Sequence, residues 1–168
     1  MAIYIIAVVC GIGILGIDQL TKYYIISNFS LGDTADFIKH IIDIHYIHNR
    51  GAAWGMLSGH TWLLLAVTAV VMAVCFGFLI KSGNGSKLLL FSMTLVISGG
   101  IGNMIDRVFR DGNVIDFLHF VFWPDFPVFN VADCAIVVGA GLLILYFLLD
   151  TIKEYKTKKG ITDIDGDN

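Results

Sequence analysis

The apolar positions of this chain gather into four long runs separated by polar segments, at about residues 2–26, 60–80, 87–105 and 126–149. Crossing a hydrocarbon layer of about 30 Å takes roughly 20 helical residues. Each run meets that length, and backbone groups in lipid must be satisfied within the segment, so each is predicted to be a helix. The pattern predicts an all-α membrane protein of one domain over 1–168, with four transmembrane helices. Outer loops are expected at about 27–59 and 106–125, and a cytoplasmic tail at about 150–168. The first run starts without a Lys/Arg n-region or an A-x-A-like cleavage site, so it reads as an uncleaved span rather than a removable signal peptide. Glycines 11, 13, 16, 99, 100 and 102, with Ser98, suit close approach between membrane helices.

The outer segment before the second run has a different rhythm. In FIKHIIDIHYIHN, polar Asp43, His45 and His48 are mostly opposed to Ile42, Ile44 and Ile47. Alternation with β-branched and aromatic residues predicts short strands, hence a small β-sheet platform in the outer-face loop. AAWGM reads as an amphipathic approach to the second helix. Trp54, Trp62 and Trp123 fall where an interfacial aromatic belt would form.

Composition sharpens this picture. The chain is 57% hydrophobic, against about 45–50% for soluble domains. A net charge of −3 gives no basic footprint for nucleic acid. Cys10, Cys75 and Cys134 are far apart in apolar sequence and read as buried small hydrophobes rather than zinc or redox sites. The densest lysines, in KEYKTKK, follow the fourth run, and the KSGNGSK turn joins the second to the third. The positive-inside rule then places both termini in the cytoplasm.

Against that background the polar residues stand out. An Asp at the bilayer centre costs roughly 2.5–3.5 kcal/mol, so a membrane chain that keeps several beside Asn and Arg has a use for them. At 1.5 Å per residue, Asp18 lies ~24 Å along the first helix and Asp106 ~27 Å along the third, both near the outer edge. Asp18 and Lys22 share a face at i,i+4, which fits a plain salt bridge or support of a neighbouring site; Lys22 can also snorkel to the interface. Asn103 and Asp106 share a face at i,i+3, with Arg107 beside them. These can cap the helix end or orient a catalytic group. Asn49 and Arg50 occupy the turn before the second helix. Asp116 sits off any helix in apolar company. Asp133 lies one or two turns into the fourth helix, with Asn130 on the same face.

Asp116 and Asp133 are the candidate catalytic pair. Two carboxylates from different segments in a partly dry site titrate together and share one proton. One can then accept a proton from water while the other donates to a carbonyl oxygen. His40, His45 and His48 lack a metal-binding spacing. Ser98 lacks the surroundings of a nucleophile. A proton-coupled transporter and a non-enzymatic assembly protein are the rival classes. The apolar inner half of every helix speaks against a transport path.

The strings IDQLTK (17–22), NRGAAWG (49–55), GNMIDR followed by VIDF (102–117) and FNVADCAI (129–136) together resemble the lipoprotein signal peptidases, or signal peptidase II. The resemblance implies a bacterial cytoplasmic-membrane aspartic endopeptidase with its site near the outer leaflet. Its substrates would be diacylglyceryl prolipoproteins, cut before the lipid-bearing cysteine. It implies the dyad on Asp116 and Asp133, with support from Asp18, Asn49, Asn103, Asp106, Arg107 and Asn130. Globomycin-type inhibitors, contact with membrane lipid, a monomeric state and no metal or organic cofactor are further expectations. Trp54 stands where the family usually has Phe, and Cys134 where Ser is common; both bear on substrate fit rather than chemistry.

Overall fold

A computed structural model describes residues 2–81 and 86–165. Four helices carry the chain: α1 (Ala2–Asn28), α2 (Thr61–Lys81), α3 (Lys87–Phe109) and α4 (Val131–Asp165). All four contain segments long and apolar enough to cross a membrane. Their outward surface is apolar: Ile5, Val8, Ile12, Val70, Val137 and Ile144 are all more than half exposed. Such a contiguous apolar exterior does not suit water; it is the lipid-facing surface of a multi-pass membrane protein.

The helix α3 is the centre of the bundle. It packs against the other three, while α2 packs chiefly against α3. Cys75, Leu89, Met93, Val96 and Ile97 form the buried core there. Close approach depends on particular glycines. A Cβ on Gly102 would fall 2.6 Å from an Asp18 carboxylate oxygen, and one on Gly139 would fall 2.8 Å from the Ser92 carbonyl. Gly13 and Gly16, expected to serve the same purpose, face open space, because α1 turns that side to the lipid. Cysteine burial is also narrower than expected: Cys75 is buried, whereas Cys10 and Cys134 are exposed.

Three strands form one antiparallel sheet in the order β1 (Thr34–Ile38), β2 (Ile42–Asn49), β3 (Val114–Phe120). β2 comes from the stretch whose alternation predicts strands, whereas β1 lies mostly ahead of it in the same outer segment. The third comes from the second outer loop and follows a turn in which Asp111 (φ 53) and Gly112 (φ 82) adopt left-handed backbone. Glycine takes that conformation without the Cβ penalty. Ile25, Tyr46, Ile115 and Phe117 form a second buried cluster that fastens the sheet to α1 and the start of α4.

Several boundaries move. The helix α3 runs on to Phe109, carrying Asp106 and Arg107 within it rather than just past its end. The helix α4 starts at Val131, not near 126, because Phe129 pairs with Leu118 of β3 and keeps the preceding segment extended. It continues to Asp165 instead of ending near 149. AAWGM forms a short 3-10 turn at Ala53–Gly55 with Trp54 in left-handed backbone (φ 54), not an amphipathic approach. The expected turn at 82–85 and the last three residues lie outside the described residues.

Candidate active site

At the sheet end of the bundle, six of the nine buried polar or charged side chains among the described residues meet. Asp18, Lys22, Asn103, Asp106, Asp116 and Asn130 are each 7% exposed or less. They divide into two layers with different chemistry.

The first layer is ionic. The Lys22 ammonium lies 2.9 Å from Asp18 Oδ2 and 2.9 Å from Asp106 Oδ2, and donates to Asn103 Oδ1 at 3.1 Å. Its three protons thus have three partners, and the side chain is fully buried. Snorkelling to the interface, open to this lysine on sequence grounds, does not occur: two carboxylates meet it inside the bundle. Each carboxylate also grips backbone. Asp18 Oδ1 accepts from the amide of Ala132 at 2.9 Å, in the first turn of α4. Asp106 Oδ2 accepts from the amide of Ile115 at 3.2 Å. Ala132 and Ile115 are the immediate neighbours of Asp133 and Asp116. The ionic layer therefore sets the position of both candidate catalytic residues through the backbone beside them.

The second layer is held by amides. Asn49 Nδ2 donates to Asp116 Oδ2 at 2.9 Å and Asn130 Nδ2 to Asp116 Oδ1 at 2.6 Å. Asn103 Nδ2 donates to Asp133 Oδ1 at 2.8 Å, and the Asn130 amide to Asp133 Oδ2 at 3.1 Å. The Asp133 amide returns a bond to Asn130 Oδ1 at 2.9 Å. This reciprocal arrangement is a capping box, with Asn130 as N-cap and Asp133 at N3. The local sequence NVAD thus starts α4 and orients Asp133 in its first turn. All four carboxylate oxygens carry a neutral amide donor, and no cation pairs with either group among the described residues. Burial out of water, with the Asp133 carboxylate next in weight, pushes the Asp116 carboxyl up to about 7; the Asn49 and Asn130 amides pull it back.

Asp116 and Asp133 line one cavity of ≈ 360 Å³ together with Asn49, Asn103 and Arg107. Its remaining wall is mainly apolar, including Leu64 and Val67 of α2, Ile136 and Val137 of α4, and Phe126 and Phe129. Arg107 donates to the Gly51 carbonyl at 2.8 Å, tying α3 to the turn after β2, and its buried Nε has no partner. Arg50 stands apart from the pair: it is exposed, and its Nε donates to Asn113 Oδ1 at 3.2 Å.

Of the residues singled out in the sequence, Asp18, Lys22, Asn49, Asn103, Asp106, Arg107, Asn130, Asp116 and Asp133 come together, and Arg50 does not. Gln19 was missed. Its amide reaches Asp18, the Gly102 carbonyl and Asp106 at 3.0, 3.2 and 3.3 Å, and its place inside Asp18-Gln19-x-x-Lys22 was the available signal. The histidines serve elsewhere: His48 shares a hydrogen bond with the Tyr46 hydroxyl at 2.8 Å, and His45 meets His119 edge-on.

Fold and site define a class: a four-helix membrane protein whose two carboxylates, in no direct ion pair among the described residues, share a cavity with Arg107 at one end of the bundle. Comparison with known proteins makes the class specific. Residues 10–149 match the family model for signal peptidase (SPase) II. A lipoprotein signal peptidase of Bacillus pumilus (strain SAFR-032) is 44% identical over 163 residues, spanning 96% of this chain and 100% of that one. Two solved bacterial membrane enzyme structures, obtained by the in meso method at 2.3 and 1.9 Å resolution, superpose with TM-scores of 0.81 and 0.77. Their identities are 34% and 33%; they cover 86% and 84% of this chain and 88% and 92% of their own. This chain belongs to the signal peptidase II family and is a membrane protease.

Proposed function

We propose that this protein removes the signal peptide from diacylglyceryl-modified prolipoproteins by aspartic catalysis, cutting just before the lipid-bearing cysteine. The observation that carries the reading is the amide-held pair, Asp116 and Asp133, lining a single cavity with no cation on either carboxylate. A carboxyl at about 7 leaves the pair sharing one proton near neutral pH, the state a general acid–base dyad needs.

In the proposed reaction the ionised member takes a proton from a water as the oxygen attacks the scissile carbonyl carbon. The protonated member gives its proton to the carbonyl oxygen. The tetrahedral diol then collapses: the C–N bond breaks, a proton passes to the leaving amine, and the acid product retains the water oxygen. Asn49, Asn103 and Asn130 hold the carboxylates at fixed orientation throughout. Arg107, in the wall of the same cavity, serves the substrate backbone. The apolar wall between α2 and α4 suits the signal peptide and lipid, so that the peptide enters the dry site while acyl chains stay in the bilayer. The site would lie near the outer leaflet of the bacterial cytoplasmic membrane, with both termini cytoplasmic. Globomycin-type inhibitors would occupy the same cavity.

The test is a cleavage assay on a diacylglyceryl prolipoprotein in vesicles. Wild type is expected to release the signal peptide with full turnover in the presence of a chelator. Asp116→Asn and Asp133→Asn are expected to insert, purify and fail to cleave. Near-normal turnover by either variant overturns the dyad, and loss of wild-type activity on chelation overturns a metal-free reaction.

A further inference from the structure

A second cavity, of ≈ 370 Å³, adjoins the first and shares Asn49, Pro127 and Val128 as walls. Its character is different. The first takes eight of its eighteen lining residues from α2, α3 and α4, whereas the second takes none from them and is built from the end of β2 and the turn after it, with Ile47, His48, Arg50, Trp54, Gly55 and Ser58. His48, Arg50, Trp54 and Ser58 are exposed, so it opens to the surface through a largely polar rim.

Arg50 gives this cavity its sign. One of its donors, Nε, goes to the neutral Asn113 Oδ1 at 3.2 Å. No carboxylate pairs with it among the described residues, where the ion pairs are those of Lys22 and Arg110. A guanidinium presents five donors in a fixed fork that fits a carboxylate bidentately, and the two terminal nitrogens of Arg50 make no hydrogen bond among these residues.

An extended peptide cut at the Asp116–Asp133 pair must leave the dry cavity in two directions. The apolar wall of α2 and α4 receives the signal-peptide arm, and the other arm needs an aqueous exit. We propose that the second cavity is the subsite for the mature part of the lipoprotein, the residues directly after the lipid-bearing cysteine, and that Arg50 makes it favour acidic over basic residues there. The proposal rests on the peptidase reading above and adds a specificity determinant to it.

Matched lipidated prolipoproteins, differing only in carrying Asp, Ser or Lys at the second and third positions after the cysteine, test it in vesicles. An exposed ion pair is worth roughly 0.2–1 kcal/mol. On that scale kcat/KM is expected to fall about threefold from Asp to Ser and about threefold again to Lys, with the ratio shrinking as salt rises. Arg50→Glu is expected to reverse the order and Arg50→Gln to flatten it. Each ratio is internal to one protein, so a change in the amount of folded enzyme does not affect it. An unchanged Asp/Lys ratio in either variant, or a wild-type ratio of one at low salt, overturns the subsite. Failure of the wild type to cut even the Ser substrate would instead overturn the peptidase reading itself.

Discussion

Two pairs of carboxylates, all buried except the half-buried Asp133, lie within one network, and the protein treats them in opposite ways. Asp18 and Asp106 share one ammonium, that of Lys22 at 2.9 Å from each, and each accepts a backbone amide; Asp106 also meets the Arg110 guanidinium at 3.2 Å. Asp116 and Asp133 receive neutral amides alone and face a cavity. A carboxylate bonded by a buried ammonium and a backbone amide makes a rigid strut. A carboxylate that is buried, hydrogen-bonded by neutral donors and next to its own kind is left able to take up a proton. On the proposed reading, the same side chain is scaffold in one pair and reagent in the other, according to its partner. Asn103 joins the two layers, accepting from Lys22 and donating to Asp133.

The largest contrast should come from one chemical change made at all four positions. Asp→Asn at 116 or 133 should lower cleavage by at least about a thousandfold, the range expected when a positioned acid or base is removed, with thermal unfolding little changed. Asp→Asn at 18 or 106 leaves Lys22 with half its counter-charge inside the bundle. Breaking a buried pair costs about 3–5 kcal/mol, so the expected readout is a melting midpoint lower by roughly 10 °C. Lys22→Met should do the same. If Asp18→Asn melts like wild type while losing cleavage, the division into strut and reagent is wrong.

How much of this division was legible beforehand follows from the range of the interactions. The capping box of Asn130 and Asp133 is local, so the i,i+3 spacing in NVAD exposes it. The β1–β2 hairpin is half-solvated and leaves an alternating trace. β3 leaves none, because Val114, Ile115, Asp116 and Phe117 are all buried and a strand covered on both faces loses its period-two signature. The burial of Lys22 is legible only in part: the i,i+4 spacing gives Asp18, but Asp106 arrives from a helix more than eighty residues away. Arg50 and Arg107 look equivalent in sequence. The fold sends one to the outer cavity and the other to the Gly51 carbonyl beside the aspartates.

A smaller effect sharpens the comparison through pH. With the Asp116 carboxyl at about 7, the pair loses its shared proton as pH rises through that value. kcat/KM should fall about tenfold per pH unit on the alkaline side. Weakening the donors that favour the ionised form should move that limb upward, so Asn49→Ala should displace it to higher pH. A limb that stays in place in Asn49→Ala would show that Asp116 does not set it.

The smallest effect concerns stability, and its sign is opposite to that of a salt-bridged carboxylate. The Asp116 carboxyl titrates at about 7 in the folded chain against an ordinary value of 3.8. Between those limits the folded state holds the proton that the unfolded chain has released. Stability therefore falls as pH rises, because its slope follows the protons bound by the unfolded state minus those bound by the folded one. This group's contribution is full below about 4, is lost progressively toward 7 and is level above. Asp116→Asn removes the titration. Its side chain still accepts from one of the two neighbouring amides, while its own NH₂ meets the other donor. The variant should therefore melt below wild type at pH 4 and close the gap by pH 8, a differential of on the order of a few kcal/mol. Melting curves that stay parallel for the two proteins from pH 4 to 8 would show that Asp116 is ionised throughout.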